Sequence, residues 1–355
     1  MSARPTVNGT NTVVTSHDVA RAAGVSQSTV SRALRADPRV AAATRERVRV
    51  VAERLNYVPS DVGRSLSTRS TRRIALIVTD LTSPFYPYLV APLHDAFENA
   101  GYRMELFTDR SDEPAVLQRL KGQLIDGVVL STALLGSDFA QGLYELGVPF
   151  VFVNRESDEV PADCAIVDNK LGAALAGSEL VRLGHRRIGA IFGAAETSTG
   201  RDRERGFRAA LASGGAELDE QLVRRGPFSF ETGYALLPEL LSCDPPPTGI
   251  FCGNDAIAIG AINAARRLCV DVPGDVSLVG FDDIPMAGWE VFQLTTVRQP
   301  INEMAGVAAR LLIERIEARP DELSPRRIVF EPQFIRRATL APHVTTEVRF
   351  PSPSG

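Results

Sequence analysis

Across residues 14–55 the apolar positions recur at three- and four-residue intervals in three short runs. Val19, Ala20 and Ala23 form one set, Val30, Ala33 and Leu34 a second, and Val48, Val51, Ala52 and Leu55 a third. Each is one face of an amphipathic helix, and three such faces together close a small core. Ala23-Gly24-Val25 reads as the tight turn between the first two helices, because glycine has no Cβ and tolerates positive φ. Ser26 is placed to cap the second helix, Thr44 to cap the third, and Asn56 to end it in a left-handed conformation. With the apolar faces turned inward, the second helix keeps Gln27, Ser28, Ser31 and Arg32 outside. Four hydrogen-bonding side chains on one helix face suit the base edges of a major groove.

After residue 72 the period changes. Residues 74–79 (IALIVT) are a continuous apolar run of the kind that forms a buried parallel strand. Further strands are predicted near 102–107, 125–130, 148–153, 187–192, 221–226, 248–252, 276–281 and 327–336. Helices are predicted near 87–100, 112–122, 138–146, 170–184, 201–213, 230–241, 255–268 and 301–318. Strand and helix alternating in this way predict two doubly wound α/β subdomains in tandem. The polar segments 1–13 and 343–355 are expected to be disordered. Residues 59–67 (PSDVGRSLS) hold two helical turns at most, and Gly63 costs about 1 kcal/mol relative to Ala, so composition alone makes this a linker.

Composition adds charge asymmetry. The 355 residues, 44% apolar, are enough for about two domains with sizeable cores. A net charge of −4 conceals a head, residues 1–73, with 13 Arg, no Lys and five acids, and hence +8; the remainder carries −12. A basic head on an acidic body fits docking on phosphate at one end only. Cys164, Cys243, Cys252 and Cys269 form no CxxC pair and have too few histidines near them for zinc, so they read as small buried hydrophobes in a reducing compartment. No secretory signal and no 18-residue apolar run occur, so a soluble, cytoplasmic protein without a membrane partner is expected. Enzyme motifs are missing too: there is no GxGxxG after a strand, no GxxxxGK[ST] and no GxSxG. The four histidines are His17, His94, His185 and His343, and they form no acid/base pair. His17 reads as a phosphate contact or plain surface, and His185 as a turn residue. No catalytic residue, metal or cofactor is expected.

Several fixed spacings match together. Asp18-Val19-Ala20, Ala23-Gly24-Val25-Ser26, Thr29-Val30-Ser31-Arg32 and Leu55-Asn56-Tyr57-Val58-Pro59 resemble the lac-repressor/gal-repressor family of transcription regulators. Val279-Gly280-Phe281-Asp282-Asp283 and Leu294-Thr295-Thr296-Val297-Arg298-Gln299-Pro300 extend the resemblance into the second half. It implies a helix-turn-helix head over 14–58, a hinge helix over 59–71 and an effector-binding and dimerisation core of the type I periplasmic-binding-protein kind over 72–342. The core's N-subdomain would span about 72–168 plus 300–326, and its C-subdomain about 169–299 plus 327–342. In the family the hinge folds only on DNA and inserts a Leu into the minor groove. Leu66 matches that position, and an apolar wedge there kinks the duplex. Gly63 stands where the family usually has Ala, which implies a looser, more operator-dependent hinge. The tail lacks a leucine heptad, which implies a dimer and no further tetramer.

Ligands of open α/β sheets bind at the carboxyl ends of strands. Phe85, Tyr86, Thr199, Arg203, Phe228, Asn254 and Asp282 fall at such ends, and each matches a family position that commonly contacts effector. Aromatic faces with a carboxylate, an amide and a guanidinium suit a sugar, and also a nucleobase. Arg203 with Asp282 has a second reading, as a structural ion pair. Asp283 reads as a solvent-facing or capping residue, Trp289 as either cleft wall or core plug, and Asp168 and Lys170 as structural residues at a crossover.

The function expected is a homodimeric transcription regulator, a repressor in its commonest form, on a near-palindromic DNA operator, controlled by a small molecule, most simply a sugar. Gln27, Ser28 and Arg32 would read bases, and Thr15, Thr29, Ser31 and Tyr57 would position the head on the backbone, with Ser26 and His17 beside them. The alternatives are a solute-binding protein for transport, which needs a signal peptide and no basic head, a regulator or activator responding to a nucleobase or nucleoside, and a cytosolic enzyme.

Overall fold

The computed structural model describes residues 14–57, 70–79, 81–108, 117–118, 120, 122, 124–132, 138–318 and 324–343. Residues 1–13 and 344–355 of the expected disordered ends, the hinge residue Leu66 with nearly all of 59–71, and most of the helix expected at 112–122 lie outside the described residues, whereas His343, counted with the tail, is placed and donates its amide to the Leu183 carbonyl at 2.9 Å. The chain divides into two units, one ending at Thr71 and one beginning at Arg72.

In the head, α1 (Ser16–Ala23), α2 (Gln27–Leu34) and α3 (Ala42–Arg54) bury Val19, Val30 and Val48 completely. Thr15 and Asp18 cap the first helix reciprocally: Asp18 Oδ2 accepts from the Thr15 amide at 3.0 Å, and Thr15 Oγ1 accepts from the Asp18 amide. Gly24 makes the turn at φ 66°, and Ser26 Oγ accepts from the Thr29 amide at 3.1 Å. Asn56 takes φ 51° after the third helix. Thr44, expected to cap α3, lies instead within its first turn. Ala41, Ala42 and Ala43 are good helix formers and start the helix earlier, with Ala41 at the cap and no side-chain bond.

In the core, two parallel sheets form, each flanked by helices. The first contains β1 (Arg73–Val78), β2 (Arg103–Thr108), β3 (Gly127–Leu130), β4 (Phe150–Val153), β5 (Asp163–Val167) and β11 (Arg327–Phe330), in the order β11-β5-β4-β3-β1-β2. The helices of this half are α4 (Tyr86–Asn99), α5 (Asp138–Glu145) and α10 (Ile301–Glu317), the last packed on α4 and on β3 to β5. The second sheet runs β7-β6-β8-β9, from β6 (Ile188–Phe192), β7 (Val223–Arg225), β8 (Gly249–Cys252) and β9 (Ser277–Val279). It carries α6 (Asn169–Arg182), α7 (Ser198–Ser213), α8 (Phe230–Leu241) and α9 (Asp255–Arg267). An antiparallel pair of β10 (Thr296–Arg298) and β12 (Gln333–Ile335) stands where the chain crosses between the halves.

One assignment is corrected here. Residues 327–330, assigned from sequence to the second subdomain, pair in parallel with β5 at the edge of the first sheet: Arg327 lies opposite Cys164 and Phe330 opposite Val167. The chain therefore passes to the second half only after β11. Strand β5 itself has no counterpart among the expected strands. Asp168 caps α6 by accepting from the Leu171 amide at 2.9 Å. His185 lies in the turn between α6 and β6, as expected, and is buried there. Its Nδ1 pairs with Thr248 Oγ1 and its Nε2 with the Ala341 carbonyl, both at 3.0 Å, which ties down the returning chain.

Helices α8 and α9 touch backbone to backbone. A Cβ at Gly233 would overlap the Ile257 carbonyl, and one at Gly260 the Phe230 carbonyl. Ala at a mid-helix Gly ordinarily gains about 1 kcal/mol, but here the overlap reverses the sign. Gly233→Ala is expected to lose about 1–3 kcal/mol, read as a lower urea midpoint at unchanged slope.

Candidate functional site

On the head, Thr15, His17, Ser26, Gln27, Ser28, Ser31 and Arg32 are exposed, while Thr29 and Tyr57 are half-buried, Tyr57 against the head core. Ser26 Oγ gathers Ser28 Oγ at 2.9 Å and Thr29 Oγ1 at 2.8 Å, which organises the N-terminus of α2. Gln27 Nε2 donates to Ser16 Oγ at 3.1 Å. Arg35, one turn after Ser31 and absent from the expected set, donates to the Ser31 hydroxyl at 2.7 Å. The Arg32 side chain makes no hydrogen bond or ion pair among the described residues, so its guanidinium fork is available to a partner. Ser16 and Arg35 share the α1 and α2 periodicity, which could have singled them out.

In the core, the carboxyl ends of both sheets meet at one cavity of about 590 Å³, within the range of small-molecule sites. The reason is topological. The order reverses between β1 and β3 in one sheet and between β6 and β8 in the other, and the loops after these strands diverge there to leave a crevice. Phe85, Tyr86, Thr199, Arg203, Phe228, Asn254 and Asp282 all line the cavity. Phe85 and Tyr86 meet edge to face at the N-terminus of α4, and the Tyr86 hydroxyl donates to Thr79 Oγ1 at 3.2 Å. Phe228 packs against Gly193, where any Cβ would strike its ring. Asn254 caps α9, its Oδ1 accepting from the Ile257 amide at 3.0 Å.

Arg203 and Asp282 do form a buried ion pair, at 3.0 Å. Arg203 also donates to Asn169 Oδ1 at 2.8 Å and to the Gly253 carbonyl at 2.7 Å, and its guanidinium stacks 3.7 Å from the centre of the Phe281 ring. Asp282 Oδ1 accepts from Gln299 Nε2 as well, at 2.7 Å. Its backbone sits at φ 121°, outside the regions most side chains adopt. Burial pushes the Asp282 carboxyl up from its ordinary range, and Arg203 and Gln299 pull it back.

Behind this pair lies Asp255, fully buried, accepting from the Thr296 hydroxyl and from the Ile284 amide at 2.9 Å. Burial first, and then the Asp282 charge, push its carboxyl well above the usual carboxylate range. A raised folded-state value means that the native state holds the proton longer, so stability falls as pH rises from the unfolded value through the folded one. Asp255→Asn keeps an acceptor for Ile284 and is expected to raise the melting temperature at pH 8 and flatten its fall between pH 5 and 8. An unchanged pH profile in that variant would remove Asp255 from the account.

Sequence reasoning missed Thr79, Asn154, Arg155, Glu196, Arg225 and Glu231 in the cavity lining. Asn154 and Arg155 directly follow β4, so the same strand-end rule that chose the others could have found them. Asp283 is not solvent-facing: its carboxylate takes Arg298 Nε and Arg337 Nη2, each at 2.6 Å. Trp289 is 52% exposed and neither lines the cavity nor plugs the core.

A three-helix head with an outward-facing second helix, followed by a two-lobed core around a small-molecule cavity, defines a ligand-responsive DNA-binding regulator. Residues 15–60 match the family of bacterial regulatory proteins, lacI family, and residues 178–340 match a periplasmic binding protein-like domain. The chain is 32% identical to the HTH-type transcriptional regulator DegA of Bacillus subtilis (strain 168), over 92% of this chain and 98% of DegA. Among solved structures it is similar to a transcriptional regulator CelR–cellobiose complex (33% identity, 92% and 99% of the two chains, TM-score 0.71). It is also similar to the lac repressor dimer bound to operator and the anti-inducer ONPF (25% identity, 92% and 99%, TM-score 0.82). The chain belongs to the LacI family of transcriptional regulators. No helix among the described residues is long and apolar enough to cross a membrane.

Proposed function

We propose that this chain is a homodimeric repressor that binds a near-palindromic operator and is controlled by a sugar held in the core cavity. The observation that carries the sugar reading is the joining of aromatic walls, Phe85 and Phe228, with the polar floor made by Arg203, Asp282 and Asn254 in one cavity. Sugar C–H faces stack on such rings, and paired hydroxyls bridge such polar groups. The cellobiose complex of a similar regulator supports the same reading. Among the described residues the lining contains no His, Cys or Lys.

In this reading two heads occupy successive major grooves, with Gln27, Ser28 and Arg32 on base edges and Thr15, His17, Ser26, Thr29, Ser31 and Tyr57 on or near the backbone. Leu66 wedges the minor groove at the centre of the site. Sugar binding favours one relative placement of the two core lobes, and operator affinity changes with it, by about 1–3 kcal/mol in typical allosteric coupling.

Selection of bound fragments from genomic DNA, repeated with and without a panel of sugars, polyols, nucleobases and nucleosides, tests the proposal. Recovery of a two-fold-symmetric sequence whose binding changes with a sugar is expected. No enriched symmetric site under any condition would defeat it, and a response to nucleosides alone would move the effector out of the sugars. Arg32→Ala should cost about 1–3 kcal/mol of discrimination at one base pair of each half-site, measured by competition between operator variants. An unaltered base preference would take Arg32 out of the reading set.

A further inference from the structure

Among the described residues, the buried charges that line the cavity are not all paired. Of the ionisable side chains that line it, Arg203 is matched by Asp282, and Arg225 by Glu204 at 2.5 Å. Glu196 and Glu231 are exposed to solvent. Arg155 is left over. It is only 8% exposed, its Nε has no hydrogen-bond partner, and its Nη1 makes a single long bond of 3.4 Å to Thr79 Oγ1. No carboxylate among the described residues forms an ion pair with it. Asp282, whose carboxylate feels the Arg155 charge, already shares Oδ1 between Arg203 and Gln299.

A buried guanidinium with one weak bond is costly unless something pairs with it. The residue before it has the complementary need. Asn154 is 7% exposed, is held at φ 67°, and its Oδ1 is buried without a donor. A non-glycine residue in this conformation at a cavity wall is the kind of local strain that accompanies ligand sites. The Phe228 ring lies 5.9 Å from the Arg155 guanidinium carbon and 5.8 Å from that of Arg203, giving a flat apolar surface between two cations. The wall thus needs an anion, a hydroxyl donor and a ring face from the same molecule.

We infer that the effector is a hydroxylated ring carrying one anionic group, a carboxylate or a phosphate, with Arg155 as its counter-ion and Asn154 accepting from a neighbouring hydroxyl. The inference rests on the sugar reading of the cavity and narrows it to acidic sugars. A guanidinium pairs with either anion through charge-assisted bonds that a neutral hydroxyl does not match.

Calorimetric titration of the full-length protein distinguishes the cases. The probes are D-glucose, D-galactose and cellobiose, set against D-glucuronate, D-galacturonate, cellobionate and D-glucose 6-phosphate. At least one acid or phosphate is expected to bind about tenfold or more tighter than its neutral parent, and to weaken as salt is raised. Whether the carboxylates or the phosphate lead identifies the anion. Arg155→Gln should erase the preference, and Arg155→Lys should keep part of it. Neutral parents binding as tightly as their acids, or a preference that survives Arg155→Gln, overturns the inference while the sugar reading stands. Binding by none of these probes overturns both. If Arg155→Gln melts below the wild-type protein without ligand, the wild-type comparison of acid with neutral parent decides alone.

Discussion

Arg203→Leu is expected to cost the core about 3–5 kcal/mol, the range for removing one partner of a buried ion pair. The loss has three parts. Asp282 is left buried without its cation and must either hold an unpaired charge or take up a proton, Asn169 Oδ1 and the Gly253 carbonyl lose their donor, and the Phe281 ring loses the stacked guanidinium. Asp255, already pressed toward its neutral form by Asp282, would feel that charge without the compensating cation. Urea unfolding followed by circular dichroism reads the loss as a lower midpoint. The double variant Arg203→Leu with Asp282→Asn should recover a substantial share, because the stranded charge is gone. If the double variant is no more stable than the single one, charge stranding is not the cause, and lost packing must carry the effect. Ligand stabilisation should be absent in both variants, since Arg203 and Asp282 both line the cavity.

A comparable loss is expected far from the cavity, at Asp163. Its side chain is fully buried at the start of β5, where it accepts from Arg315 Nε at 3.0 Å, from the Arg326 amide at 2.7 Å and from Arg326 Nη2 at 3.2 Å. One carboxylate thus ties α10 and the approach to β11 to the first sheet. Asp163→Ala is expected to cost about 3 kcal/mol, toward the lower end of the range for broken buried pairs, because Arg326 retains Glu314 at 2.5 Å. Burial alone would raise the Asp163 carboxyl, but Arg315 and Arg326 outweigh it and hold the group below its ordinary value. Its stabilisation is therefore fully present above the unfolded carboxylate value near pH 4 and is lost as pH falls through the lower folded value. Melting curves from pH 6 down to pH 2.5 should show the wild-type advantage over Asp163→Asn shrinking with acid. An advantage constant down to pH 2.5 would mean the contribution is not that of the ionised carboxylate. Asp255 contributes in the opposite sense, its share falling as pH rises.

Much of this protein is legible along the chain. The head follows from spacing alone: three apolar stripes, a glycine that can turn at positive φ, and a serine placed to cap are all interactions over three or four residues. The alternation of apolar runs and amphipathic stretches gave the α/β class and nearly every strand and helix of the core, because burial on both faces of a parallel sheet leaves a continuous local signal. The strand-end rule, together with the family resemblance, picks out seven side chains that line one cavity.

Tertiary structure decided what depends on partners distant in sequence. β5 is short and begins with an aspartate, which looks polar until Arg315 and Arg326, more than 150 positions later, neutralise it. The strand at Arg327–Phe330 has the same local pattern whichever sheet it joins, and only its pairing with β5 assigns it. The same holds for charge. The sequence shows Arg155, Arg203, Asp255 and Asp282 as four ionisable residues, but distance and desolvation alone determine which are paired, which is driven toward neutrality and which still lacks a counter-ion. Coulomb interactions and burial act through space, whereas periodicity acts along the chain, and that is the boundary between what could be read and what had to be folded first.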